Sequence, residues 1–98
     1  MDERRRGVRR PLLLECNYSR DSRITDLSAT GCFVDSSRVP DVGEQVEFTV
    51  ELDGAPVILR GTVVHAKARL GFAITFTDLS DEAAESVRAF TVGQEAEG

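Results

Sequence analysis

Three features of this 98-residue chain predict a mainly β fold, a six-stranded antiparallel barrel with a flexible basic N-terminal arm and a short C-terminal α-helix. Two stretches alternate apolar and polar residues with period two, Val46-Phe48-Val50-Leu52 and Leu70-Phe72-Ile74-Phe76, as strands with one wet face do. Short turn signals separate the extended runs, with no helical crossover between them, so neighbours pair antiparallel and the sheet closes on itself. Only after Ser80 does the apolar spacing change from two to that of a helix.

The elements follow in order. Residues 1–11 form the arm, loosened at Gly7 and joined to the body at Pro11. Leu12 to Tyr18 is expected as a first strand, Ser19 to Ser22 as a polar turn, Arg23 to Leu27 as a second strand and Gly31 to Asp35 as a third. Beyond the Pro40–Gly43 loop comes the long alternating strand, and Asp53-Gly54 signals a two-residue hairpin into Pro56 to Ala66. Gly61 inside that partner strand suggests a bulge or a barrel corner. Ser80 followed by Asp81 and Glu82 has the composition of a helix start. Ala83, Val87 and Phe90 then share one face, which is expected to plug an opening of the barrel, with the body ending at residue 92 and residues 93–98 a disordered tail.

Composition narrows the functions. Ninety-eight residues make one small domain, with no room for a second, catalytic one. The net charge of −5 hides a division: residues 1–10 carry five arginines against Asp2 and Glu3, and the remainder has seven basic against fifteen acidic residues. An acidic body repels a long phosphate backbone, so DNA or RNA is not the expected partner, and a small anion held by the arm fits better. Neither a signal peptide nor an apolar run of membrane-spanning length is visible, which points to a cytoplasmic location without membrane insertion. Cys16 and Cys32 lie in apolar stretches with no CxxC and no neighbouring histidine, so they are expected as reduced packing residues and no metal site is expected. His65 stands alone at a strand end, and no nucleophile setting or phosphate loop is present, so an enzyme is the least favoured class.

Two clusters carry chemistry. Arg5 and Arg9 form an Arg-x-x-x-Arg pair, and Asp26, Ser28 and Gly31 form Asp-x-Ser-x-x-Gly at the exit of the second strand. A guanidinium can grip the O6 and N7 edge of guanine, clamp phosphate oxygens and stack on a purine face, whereas lysine supplies only charge. Asp26 can accept from guanine N1–H and N2–H, Ser28 adds a hydroxyl, and Gly31 lets a ligand approach the backbone. The same residues are also ordinary turn formers, with Gly31 supplying a positive φ. Fixing an arm costs about 1–2 kcal/mol per residue, and charge-assisted contacts return about 1.5–3 kcal/mol each, so several must form together. Arg6 and Arg10 offer a second register for the first motif. Arg69, just before the last strand, reads on its own as a solvated edge charge rather than a ligand contact.

These motifs resemble the signature of the PilZ domain, an N-terminal Arg-x-x-x-Arg with Asp/Asn-x-Ser-x-x-Gly after the second strand. The resemblance extends to Gly43-Glu44, to the Gly71…Phe76 stretch and to the closing helix, covering nearly the whole chain. It implies a split six-stranded barrel that binds cyclic di-GMP with the arm wrapped over the ligand. It implies binding roles for Arg5, Arg9, Asp26, Ser28 and Gly31, its geometry would let Arg69 reach a base from the neighbouring strand, and Arg4 stands where a residue able to stack on a second ligand molecule occurs. Pro11, two residues past Arg9, favours the Arg5/Arg9 register. Ala73 departs from the pattern where many members carry a second glycine.

The expected function is then a cyclic di-GMP receptor that signals to a partner protein in motility, polarity or exopolysaccharide control, as a monomer or weak dimer. A nucleotide-independent interaction adaptor on the same fold is the alternative. A small RNA-binding barrel is weaker, because the five phenylalanines fall mostly on alternating apolar positions rather than on a stacking surface.

Overall fold

The computed structural model describes residues 12–97, with six strands and one helix. The strands are β1 (Leu14–Glu15), β2 (Arg23–Leu27), β3 (Gly31–Asp35), β4 (Gln45–Leu52), β5 (Ala55–Lys67) and β6 (Gly71–Phe76), followed by α1 (Asp81–Glu97). All pairings are antiparallel, in the order β1-β2-β3-β6-β5-β4. The two edges meet through a bridge between Cys16 and Val50. Asn17 reinforces it, its N–H donating to the Thr49 carbonyl at 3.1 Å and its side-chain Oδ1 accepting from the Thr49 N–H at 2.7 Å. The sheet is therefore a nearly closed barrel.

Alternation does what the sequence predicts on β4, where Val46, Phe48, Val50 and Leu52 are buried and Glu47 and Glu51 are exposed. Asp53 and Gly54 take φ values of 52° and 83°, both left-handed, as the two-residue hairpin turn demands. The core gathers Ile24, Val34, Val50, Leu59, Val63 and Phe72. Tyr18 fills one end, its ring edge-on to Phe72 at 4.9 Å and to Phe48 at 6.3 Å. At the other end α1 packs on β4 and β5 with Ala83 and Val87 buried. Its start is capped, the Ala83 N–H donating to Ser80 Oγ at 3.0 Å.

Four boundaries differ from the sequence reading. The first strand is short, Leu14–Glu15 rather than Leu12–Tyr18, because the chain must leave β2 to bridge Val50 and turn Tyr18 inward. The irregularity in β5 falls between Val63 and His65, not at Gly61. Gly61 is a point of close approach: a Cβ there would lie 2.5 Å from the Thr75 carbonyl oxygen. Leu70 is 60% exposed, in the turn before β6 rather than on its buried face. The helix continues through residues 93–97, since Gly93 weakens a helix by about 1 kcal/mol without ending it.

At the Tyr18 end a polar knot ties the β1–β2 turn to the β3–β4 loop. Asp21 accepts from the Ser37 hydroxyl at 2.8 Å and from the Ser19 hydroxyl at 3.0 Å, and these bonds, the first above all, hold its carboxyl below the ordinary aspartate value of 3.8. A group whose folded pKa is depressed stabilises the fold above its unfolded pKa and loses that contribution as pH falls through the folded one. Asp21→Ala is therefore expected to lower Tm at pH 7, and the difference from wild type is expected to shrink below about pH 4. Thermal melts across that range check it; a gap independent of pH would show that the carboxylate charge is not involved.

Candidate functional site

The Asp26–Gly31 segment spans the exit of β2, the β2–β3 turn and the entry of β3, and backbone hydrogen bonds hold it. The Ser28 N–H donates to the Gly31 carbonyl at 2.9 Å, and the Phe76 N–H donates to the Thr30 carbonyl at 2.9 Å, so β6 secures the turn from its other side. The Ser28 hydroxyl contributes weaker contacts, donating to the Gly31 carbonyl at 3.3 Å and accepting from the Thr30 N–H at 3.3 Å. It is exposed, as is Asp26. Asp26 has neither a hydrogen bond nor an ion pair to another side chain among the described residues. A shift in register between Ile24 and Asp26 lets Asp26 stand opposite Phe33 on the outer face while Leu27 and Cys32 turn inward.

Gly31 has a structural requirement of its own. Its φ is not positive; among the described residues only Gly43 and Gly54 are glycines of that kind. A Cβ at Gly31 would instead lie 2.2 Å from the Ile74 carbonyl oxygen and 3.3 Å from the Ile74 carbonyl carbon, both backbone atoms.

Pairing across β2, β3, β6 and β5 extends the turn into an outer row. Asp26 faces Phe33, Phe33 faces Ala73, and Ala73 faces His65. Asp26 and His65 are exposed and the two between them are half-buried. In the sequence His65 stands alone and Ala73 is only a departure from glycine; no motif joins them, and strand register alone brings the row together. Ala73 fits here in place of glycine, keeping the middle of the row low.

Arg69 stands apart. It occupies the β5–β6 turn at φ 68°, beyond the Lys67–Gly71 pair, which itself lies two residues, about 7 Å of strand, from the Ala73–His65 pair of the Asp26 row. Asp26, Ser28 and Gly31 are brought together and Arg69 is not. Arg4, Arg5, Arg6 and Arg9 lie outside the described residues.

Strand direction bears on that arm. β1 runs antiparallel to β2 with Leu14 opposite Ile24 and Glu15 opposite Arg23. Upstream of Leu14 the chain therefore travels towards the end of β2 that carries Asp26, and Leu12, where the described chain begins, lies on that course.

Other chemistry has little footing. The Cys32 thiol is buried, and burial, with Cys16 and Asp26 adding, pushes it up to about 12, so it stays protonated and unreactive at neutral pH. Cys16 is half-buried and its thiol meets Ser22 Oγ at 3.3 Å. Among the described residues no group of three or more His, Cys, Asp or Glu could hold a metal ion, and no helix is long and apolar enough to cross a membrane.

A family model described as PilZ domain matches residues 3–93. No curated protein and no solved structure matches the chain significantly.

Proposed function

Because the chain belongs to the PilZ domain family, whose members are in general cyclic di-GMP-binding modules, we propose that it is a cyclic di-GMP receptor whose arm closes over the ligand and so alters a surface read by a partner protein. Asp26 accepts from the guanine N1–H and N2–H edge, Ser28 offers its exposed hydroxyl, and Arg5 and Arg9 clamp phosphates and the guanine O6 and N7 edge. Arg4 and Arg6 add charge beside them. The outer row of Phe33, Ala73 and His65 is the floor over which the rest of the ligand extends. In this reading the module binds and does not turn over, and the partner belongs to motility, polarity or exopolysaccharide control.

The observation that carries this reading is the β1–β2 register. It directs the chain upstream of Leu14 towards the sheet end where the exposed Asp26 carboxylate, the exposed Ser28 hydroxyl and the β2–β3 turn coincide, which supports a role there for the basic residues that precede it. Arg9 is three residues before Leu12, within about 10 Å of extended chain. A ligand can change the arm only through different affinities for its two arrangements, and a dianion bridging arm and rim has that difference.

The test is a calorimetric titration of the full chain with cyclic di-GMP, alongside GTP as a linear control. Saturable binding of one or two molecules of the cyclic dinucleotide, and not of GTP, is the expected result. Absence of saturable binding would leave the nucleotide-independent adaptor as the function of this fold.

A further inference from the structure

We infer that, without ligand, the basic arm docks on an acidic track running from β1 to the start of α1, and that the dinucleotide must compete for it. The competition, though not the docking, rests on the function proposed above. The track begins where the arm leaves the barrel. The bridge from Cys16 to Val50 sets Glu15 beside Glu51, both exposed, and the two line one concavity with Pro56. Like charges on neighbouring strands repel, and this pair is suited to a cation lying across it.

Pro56 also lines the next concavity, a groove of about 630 Å³ between the first residues of β5 and the first turns of α1. Its apolar wall includes Ala55 and Ile58, the latter 50% exposed, and its opposite wall includes Asp81, Glu82 and Glu85. Glu85 already meets Arg88 at 2.6 Å; the ion pairs among the described residues do not include Asp81 or Glu82. Their carboxylates favour the helix start in any case, but that role leaves their outer faces open to a guanidinium.

The occupant committed to is this chain's own arm. β1 is antiparallel to β4 at the Cys16–Val50 bridge, so upstream of Glu15 the chain heads towards Leu52, whose strand partner Ala55 lines the groove. Residues 1–11 span up to about 36 Å when extended, enough to cross both concavities. They carry five arginines against two acids, facing a body with seven basic and fifteen acidic residues, and the apolar stems of arginine can lie along Pro56 and Ile58 while the heads reach the carboxylates. An arm held there is unavailable to the ligand, and the apparent affinity falls by the fraction so held.

The experiment uses the full chain. Backbone amide shifts of Glu51, Ala55, Ile58 and Glu82 are compared between wild type and a chain carrying R4Q, R5Q, R6Q, R9Q and R10Q. Docking predicts distinct positions in the two chains, and addition of cyclic di-GMP is expected to move the wild-type amides to those of the substituted chain. A second chain with Glu51→Gln and Glu82→Gln, its Tm recorded as a check on folding, is expected to bind the dinucleotide about three- to tenfold more tightly. Superposable groove amides in wild type and the arginine-substituted chain overturn the docking, whatever the ligand does. Distinct amides that stay in place while calorimetry shows the ligand bound, or an unchanged affinity in the folded double variant, overturn the competition. A chain that never binds the dinucleotide removes the functional reading, and the amide comparison still decides whether the arm docks.

Discussion

Replacing Arg9 by alanine is expected to weaken cyclic di-GMP binding at least a hundredfold while moving the Tm of the ligand-free domain by no more than about 2 °C. A hydrogen bond to a charged group contributes about 1.5–3 kcal/mol, roughly a 10- to 150-fold change in affinity. A guanidinium fork makes two such bonds at once. The small change in Tm is expected because the core of the described barrel, from Ile24 to Val87, consists of buried apolar side chains. Arg5→Ala is expected to act similarly, from seven residues before Leu12. Arg9→Lys separates charge from geometry: it keeps the cation, loses the planar fork, and is expected to recover only part of the affinity. The competing register is tested by Arg10→Ala, for which a change within about threefold is expected by weak exposed pairing alone. Loss of binding in Arg10→Ala with Arg9→Ala unaffected would move the motif to Arg6 and Arg10. Full affinity in all of them would remove the arm from the site.

How far the sequence could be followed depended on whether the governing contact was local. The Asp53-Gly54 turn is a local demand for two left-handed residues, and the alternation over Val46–Leu52 is a local consequence of one buried face, so both were legible. Gly61 suggests a bulge or a barrel corner because a glycine in a strand has several causes; the one found is the Thr75 carbonyl on a strand fourteen residues away. The extent of β1 is shorter than its apolar run suggests because barrel closure at Val50 sets it, a contact that no periodicity encodes. The site divides along the same line. Asp26, Ser28 and Gly31 sit in one turn and read as a unit, whereas Phe33, Ala73 and His65 join Asp26 only through three strand pairings. Arg69 is near the last strand in sequence but at the opposite end of the sheet from the turn, because an antiparallel hairpin reverses direction.

Gly31→Ala is expected to damage the barrel itself, lowering Tm by about 12–24 °C. The added Cβ meets the Ile74 carbonyl oxygen at 2.2 Å, and neither strand can yield cheaply, since Gly31 pairs with Thr75 and Cys32 with Ile74 in the same ladder. Forcing an extra carbon into such a contact costs about 1–3 kcal/mol or somewhat more; with backbone as the obstacle, about 3 kcal/mol is the appropriate figure. For a domain of this size each kcal/mol corresponds to roughly 4–8 °C. Ser28→Ala supplies the contrast. Its hydroxyl makes contacts of 3.3 Å at an exposed position, so its removal is expected to leave Tm within a few degrees and to reduce ligand affinity instead. Two residues of one motif then report different physics: Ser28 through the ligand, Gly31 through the approach of β3 to β6. Gly71→Ala, whose Cβ would stand 2.3 Å from the Val34 carbonyl oxygen across the same strand pair, is expected to destabilise comparably although it lies outside the motif. A Gly31→Ala protein that melts like wild type and fails only in binding would assign that glycine to ligand approach and refute the packing explanation.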